Sequence, residues 1–224
     1  MSSMAAARTN TRNDRPASKT AAAEASLPRR APVQQRSRER MDKILAVAST
    51  LIGSRGSDQL KMGEVAEQAG ISIGSLYQYF PDKSSIIRSL AERYSLESRR
   101  CIEEALLPVT TPGELEAAYG SLIDVYYALF KAEPVMRDIW SGMQADKQLM
   151  ALELAESRIC GTMLAEAMAR AHMASDPARY AARAFMIWQL GEAAMRLAIS
   201  VDEEEGAAIV STFREMTLRE ILIP

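Results

Sequence analysis

The sequence holds little of what marks a secreted, membrane-bound or metal-dependent protein. Two cysteines, Cys101 and Cys160, lie far apart in 224 residues, so no disulfide framework is expected and a reducing cytoplasm is the natural compartment. No stretch approaches the roughly 18 unbroken apolar residues of a membrane span. The first residues carry charge without an apolar run behind it, which argues against a secretory leader. A cytoplasmic protein without a membrane partner is expected. The chain has one histidine, His172, and no His/Cys cluster at ligand spacing, so neither a metal nor a cofactor is expected. His172 reads most simply as a helix-end group near Asp176. There is no glycine-rich phosphate loop, and the scattered carboxylates assemble no acid, base and nucleophile. The chain is not expected to be an enzyme. Aromatics are only 6%, whereas Met and Ala are frequent, which favours helices over sheets.

What is present is unevenly spread. The net charge of −2 disfavours a nucleic-acid partner when taken alone. Residues 1–95 nevertheless carry 15 Lys/Arg against 9 Asp/Glu, and residues 96–224 carry 12 against 20. A basic front and an acidic back fit a protein whose front meets phosphates. Residues 1–35, rich in Ala, Arg, Ser, Thr and Pro, read as a disordered basic arm: either a solvated tail or a loose contact to DNA.

From residue 36 the pattern is helical. Ile44, Leu45, Ala48, Leu51 and Ile52 form one stripe of a 3.6-residue period, ended by Gly53 and Gly56. Short helices follow at about 62–69 and 73–79, the second capped by Ser72 and broken by Pro81. Asp82 caps a fourth helix from Lys83 to about Leu106. Further helices are expected at about 113–131, from Pro134 to about Met143, from Asp146 to about Met173, from Asp176–Pro177 to about Ile199, and from the acidic run Asp202–Glu205 to about Leu222. No series of alternating strands appears. The expectation is an all-α chain: an arm (1–35), a three-helix DNA-binding domain (36–95) and a helical ligand-binding and dimerisation domain (96–224).

Residues 65–83 carry the most specific signal. Two short helices crossing steeply need a small residue at the contact, a glycine in the turn and an apolar residue beyond it. Ala66, Gly70, Ile71 and Leu76 meet those needs in order, as in a helix-turn-helix. The second helix can then enter the major groove. Val65-Ala66, Ala69-Gly70-Ile71-Ser72, Gly74-Ser75-Leu76-Tyr77, Tyr79-Phe80 and Lys83 further resemble, at matching spacing, the DNA-binding domain of the TetR family. The resemblance covers about residues 36–94. It implies a homodimer on a palindromic double-stranded operator, most simply a repressor released by a small molecule. It places Tyr77, Tyr79 and Lys83 on DNA phosphates and Ser75 near a phosphate or base edge. Lys83 stands at a helix N-terminus that already favours anions. Ile73 and Gln78 should face the bases, to meet a thymine methyl and an adenine edge, with Gly74 permitting close approach. Entry to the second helix departs from the pattern: Leu60-Lys61-Met62-Gly63 lacks the usual hydroxyl cap, and Lys61 offers a phosphate contact instead.

In the helical body, the resemblance implies a pocket. Tyr126, Phe130, Trp140, Met143, Met163 and Trp188 are candidate lining residues, although each taken singly is more often plain core. Aromatic faces and Met sulfurs suit a lipophilic, even cationic, effector. The last two helices hold many small residues, among them Ala184, Gly191, Ala198 and Ala207, suiting close packing within the subunit or across a dimer. A redox role for Cys101 or Cys160 needs an exposed, electropositive thiol. The competing function is a ligand-binding helical protein whose helix-turn-helix is only a packing corner.

Overall fold

A computed structural model describes residues 30–142 and 146–224, and every regular element among them is helical. The order is α1 (Arg30–Arg55), a short 3-10 turn (Ser57–Gln59), α2 (Met62–Ala69), α3 (Ile73–Tyr79), α4 (Lys83–Leu106), α5 (Pro112–Ala132), α6 (Pro134–Gly142), α7 (Lys147–Ala171), α8 (Ala178–Ala198) and α9 (Glu203–Ile221). The expected helices are all found, within a residue or two at most ends.

The start of α1 corrects the expectation. Residues 1–29 lie outside the described residues, and α1 is already helical at Arg30, the first described residue, inside the segment read as arm. Pro32 does not prevent this, because the first helical turn needs no amide donors. Among the described side chains of α1 the first buried one is Ile44, and Arg36, Arg38 and Arg40 before it are exposed.

Local chemistry sets the corners. Gly70 closes α2 at φ 66°, a left-handed conformation that a side chain resists. The Ile71 amide reaches back to the Ala66 carbonyl at 3.0 Å, so the turn satisfies the carbonyls at the end of α2. Ser72 caps α3 by accepting from the Ser75 amide at 3.1 Å. Asp82 and Ser85 form a reciprocal capping box on α4, as do Thr111 and Glu114 on α5. Ile44, Ile52, Val65, Leu76 and Ile86 are buried together and hold α1 to α4 as the front domain.

Behind it, α7 and α8 pack closely. A methyl group at Gly161 would come within 2.9 Å of the Phe185 Cα, so α7 approaches the α8 backbone there as only glycine allows. The N-terminus of α9 meets the end of α8 in the same way: a Cβ at Gly206 would stand 2.3 Å from the Ala198 carbonyl oxygen. His172 closes α7, its Nε2 2.9 Å from the Ile221 carbonyl oxygen and its ring stacked on Tyr180 at 5.9 Å. It ties the ends of α7 and α9, which is a packing role.

Candidate functional site

Helix α3 is held from beneath and open above. Leu76 is fully buried and Phe80 nearly so, which fixes the helix rotation. On the other side Ile73 is 44% exposed, Tyr77 50% exposed, and Gly74 and Gln78 are also exposed. Apolar Ile73 facing water, beside Gln78 and a glycine with no atom near its missing Cβ, makes a surface able to approach a base edge.

The cation and hydroxyl positions are less uniform than expected. Lys61 is exposed at the start of α2, where no side chain caps the helix. Tyr79 is half-buried, its side chain packed against the core. Ser75 is partly buried, its Oγ 3.0 Å from the Ser72 Oγ that caps the helix. Lys83 is partly buried too, and its Nζ donates to the Asp58 carbonyl at 3.2 Å. That bond orients the ammonium beside the 3-10 turn. Sequence reasoning missed this turn and its second tether, the Ser57 amide donating to Asp138 Oδ2 of α6 at 2.9 Å.

Within the body an aromatic group links three helices. Phe130 of α5 lies 5.2 Å from Tyr126 and 6.1 Å from Trp140 of α6, edge-on to the latter. Tyr94 of α4 meets Trp140 edge-on at 6.4 Å. Phe130 itself is wholly buried. Tyr126, Trp140 and Trp188 line a narrow cavity of about 20 Å³ together with Glu153, Glu156 and Glu192. Tyr126, Trp188 and Glu192 also border an adjoining apolar cleft of about 50 Å³ that reaches Phe213. Three of the six expected lining residues are therefore brought together. Met163 is not among them: it borders a separate cleft with Leu106 and Arg170, because a helix as long as α7 presents its two halves to different neighbours. Met143 lies outside the described residues.

The three carboxyl groups at this cavity were not expected from the sequence. Arg99 grips Glu156 through its Nε at 3.2 Å and its Nη2, and this pairing raises the Arg99 pKa above its ordinary value. Arg196 donates to Glu153 at 3.0 Å and stands 3.8 Å from Glu192. Glu192 accepts from the Ser157 hydroxyl at 3.3 Å through Oε1, while its Oε2 is buried without a hydrogen-bond partner. Burial, and then the neighbouring Glu153, push the Glu192 carboxyl well above the usual carboxylate range. Burial likewise pushes the Cys160 thiol up to about 12. Cys160 is buried, without the exposed and electropositive setting of a reactive thiol, whereas Cys101 is exposed. No group of three metal-binding side chains occurs among the described residues, and none of their helices is long and apolar enough to cross a membrane.

Comparisons with known proteins bear on both sites. Residues 44–90 match the family model described as bacterial regulatory proteins, tetR family, and residues 113–223 match the tetracyclin repressor-like C-terminal domain. The HTH-type transcriptional regulator HbdR of Aromatoleum sp. (strain CIB) is 30% identical over 90 residues, which are 38% of this chain and 39% of that protein. The chain thus spans about two fifths of the length of the curated relative it matches. A TetR-family regulator from Pectobacterium atrosepticum superposes with a TM-score of 0.64 at 18% identity, over 88% of this chain and 99% of that one. RolR in complex with the ligand resorcinol gives 0.58 at 18% identity, over 85% and 96%. At such identities the structural likeness speaks for the fold.

Proposed function

The chain belongs to the TetR family of bacterial regulatory proteins and is a transcriptional regulator, and from that premise we propose a homodimeric repressor that reads a palindromic operator and is released by a small ligand. The observation that carries DNA reading is the exposed row Ile73, Gly74, Tyr77 and Gln78 on a helix locked by buried Leu76. Tyr77, Lys61 and Lys83 grip phosphates and set the register, with Tyr79 and Ser75 supporting the helix at its edges, while Gln78 and Ile73 read bases. Exposed Arg36, Arg38 and Arg40 on the forward part of α1 add cations beside the duplex. The reading of the chain as a ligand-binding protein without a regulatory role gives way to the family matches. Regulation in the cytoplasm, without catalysis, completes the proposal.

Dimerisation is supported by an apolar stripe in water. Ala182, Met186, Leu190, Ala193 and Leu197 recur every three or four residues along α8, and all are exposed. Met216 of α9 is 61% exposed. Such a face marks an interface, and a two-fold pairing of α8 and α9 forms a four-helix contact with one recognition helix per half-site. Exposed Ala182 and Ala193 let the helices approach, whereas Ala184 and Ala198 are buried within the subunit.

Release follows from a short mechanical path. The combined cavity is far smaller than the roughly 300 Å³ of an ordinary ligand pocket, so a guest must move its walls. Trp140 is one wall, and Asp138, two residues before it on α6, holds the Ser57 amide. The adjacent Asp58 carbonyl holds Lys83. Displacing α6 therefore disturbs the turn that orients a phosphate-binding cation. The effector shifts the dimer toward spacings that no longer match successive major grooves, roughly 34–36 Å apart. A salt-dependent gel shift with adjacent promoter DNA tests the reading: retarded DNA released at rising salt supports it, and no retardation at low salt contradicts it.

A further inference from the structure

The inner cavity combines features that a general apolar pocket does not have. Three carboxyl groups line it, Glu153, Glu156 and Glu192, and only two guanidinium groups answer them. Arg99 is committed to Glu156 and Arg196 to Glu153, whereas Glu192 lies at the longer distance of 3.8 Å from Arg196. Glu192 is nearly wholly buried, and its Oε2, the oxygen that stands 3.8 Å from Arg196, has no hydrogen-bond partner. Burying such a group is costly unless something completes it. A second, independent polar group is also left open: the indole N–H of Trp140, whose side chain is 3% exposed and lines the same cavity, has no acceptor. The remaining walls are Ser95, Ile102 and Cys160 together with the rings of Tyr126, Trp140 and Trp188. Aromatic faces attract a cation, and do so more strongly where water is excluded. An anionic guest would meet a surplus of carboxyl groups and an electron-rich lining.

We propose that this cavity takes a small lipophilic organic amine, positively charged at its nitrogen and bearing an acceptor oxygen. The ammonium group sits between Glu192 and the rings of Tyr126 and Trp188, and the acceptor oxygen receives the Trp140 N–H. The apolar body of the guest extends into the adjoining cleft toward Phe213 and Met195. Burial and the neighbouring Glu153 push the Glu192 carboxyl above the usual carboxylate range, in keeping with a group that lacks a close cation. This inference rests on reading the cavity as the effector site, and it narrows the effector to one charge class.

The chain's two tryptophans, Trp140 and Trp188, both line the cavity, so intrinsic fluorescence reports on it directly. The full-length protein is titrated with three probes of one shape: para-methoxyphenethylamine, para-methoxyphenethyl alcohol and para-methoxyphenylpropanoate. The amine is expected to change the emission and to bind at least tenfold more tightly than the other two. Glu192→Gln, which keeps the shape and removes the charge, is expected to lose at least tenfold for the amine and little for the alcohol. Tyr126→Leu should weaken the amine several-fold. Equal or tighter binding of the alcohol or the carboxylate overturns the proposal. So does an unchanged amine affinity in Glu192→Gln, or no response to any probe at millimolar concentration. Operator binding is followed in parallel by fluorescence anisotropy of labelled DNA. DNA bound normally without preference for the amine overturns the charge class and leaves the regulator reading standing. Amine bound with that preference while the DNA stays bound supports the charge class and removes the effector role.

Discussion

At the scale of single residues, the proposed function gives Lys83 and Gln78 different parts in DNA recognition. Lys83 is held by the Asp58 carbonyl beside the start of α4, and the proposed reading has its charge serve any phosphate. Lys83→Ala should therefore weaken binding about equally across sequences and reduce the salt slope by roughly one unit, as filter binding at several salt concentrations will show. A lost sequence preference with an unchanged slope would contradict that role. Gln78 is exposed on the outer face of α3, and Gln78→Ala should relax preference at one operator position at a cost of about 1–3 kcal/mol. Glu192 makes a prediction of another kind. Its folded-state pKa lies above its unfolded value, so its contribution to stability is fully present below the usual carboxylate range and is lost as pH rises toward the folded pKa. Glu192→Gln removes that penalty. Urea unfolding should show the variant gaining on the wild type as pH rises above the usual carboxylate range; a pH-independent difference would contradict the burial of an ionisable group there. Much of this scale was legible beforehand. Ser72, Asp82 and Gly70 announce themselves because caps and left-handed turns are local chemistry. Glu192 does not, since its neighbours Glu153 and Ser157 lie on another helix and its burial is a tertiary fact.

The elements were largely readable too, because helical periodicity and punctuation by Gly, Pro and capping residues act within a few positions. Two departures have physical causes. α1 already covers residues 30–35, where the composition looks like tail. The 3-10 turn and its tether to Asp138 escaped notice because the partners are 81 residues apart in sequence. Asp138→Ala tests that tether. Removing the acceptor leaves the Ser57 amide without its partner and loosens the turn that positions Lys83. Operator affinity should fall several-fold while the melting temperature changes little, and unchanged affinity would mean that α6 does not support the front domain. A packing prediction belongs to α7 and α8. Gly161→Ala places a methyl group 2.9 Å from the Phe185 backbone, and denaturant unfolding should show a loss of about 1–3 kcal/mol. Met163 illustrates how far element-level reasoning reaches: its helix was legible, but which cleft it borders depends on how α4 packs against α7.

The whole molecule joins three surfaces: a groove-sized helix in front, a tight acidic and aromatic cavity in the middle, and an apolar stripe behind. The basic front and acidic back visible in the charge distribution fit this division, with the surplus carboxyl group of the cavity adding to the acidic half. The stripe on α8 makes its own prediction. Leu190, 49% exposed, contributes little to the isolated subunit, so Leu190→Glu should leave the fold intact and yield monomers in analytical ultracentrifugation. Operator affinity should drop at least tenfold with it, because a monomer engages one half-site. The central claim is that two copies of α3 read one duplex through two-fold symmetry. Selection of bound fragments from randomised DNA by the purified protein tests this most directly. The account predicts recovery of inverted half-sites whose centres lie about one helical turn apart; recovery of a single half-site, of direct repeats, or of no preferred sequence would contradict it.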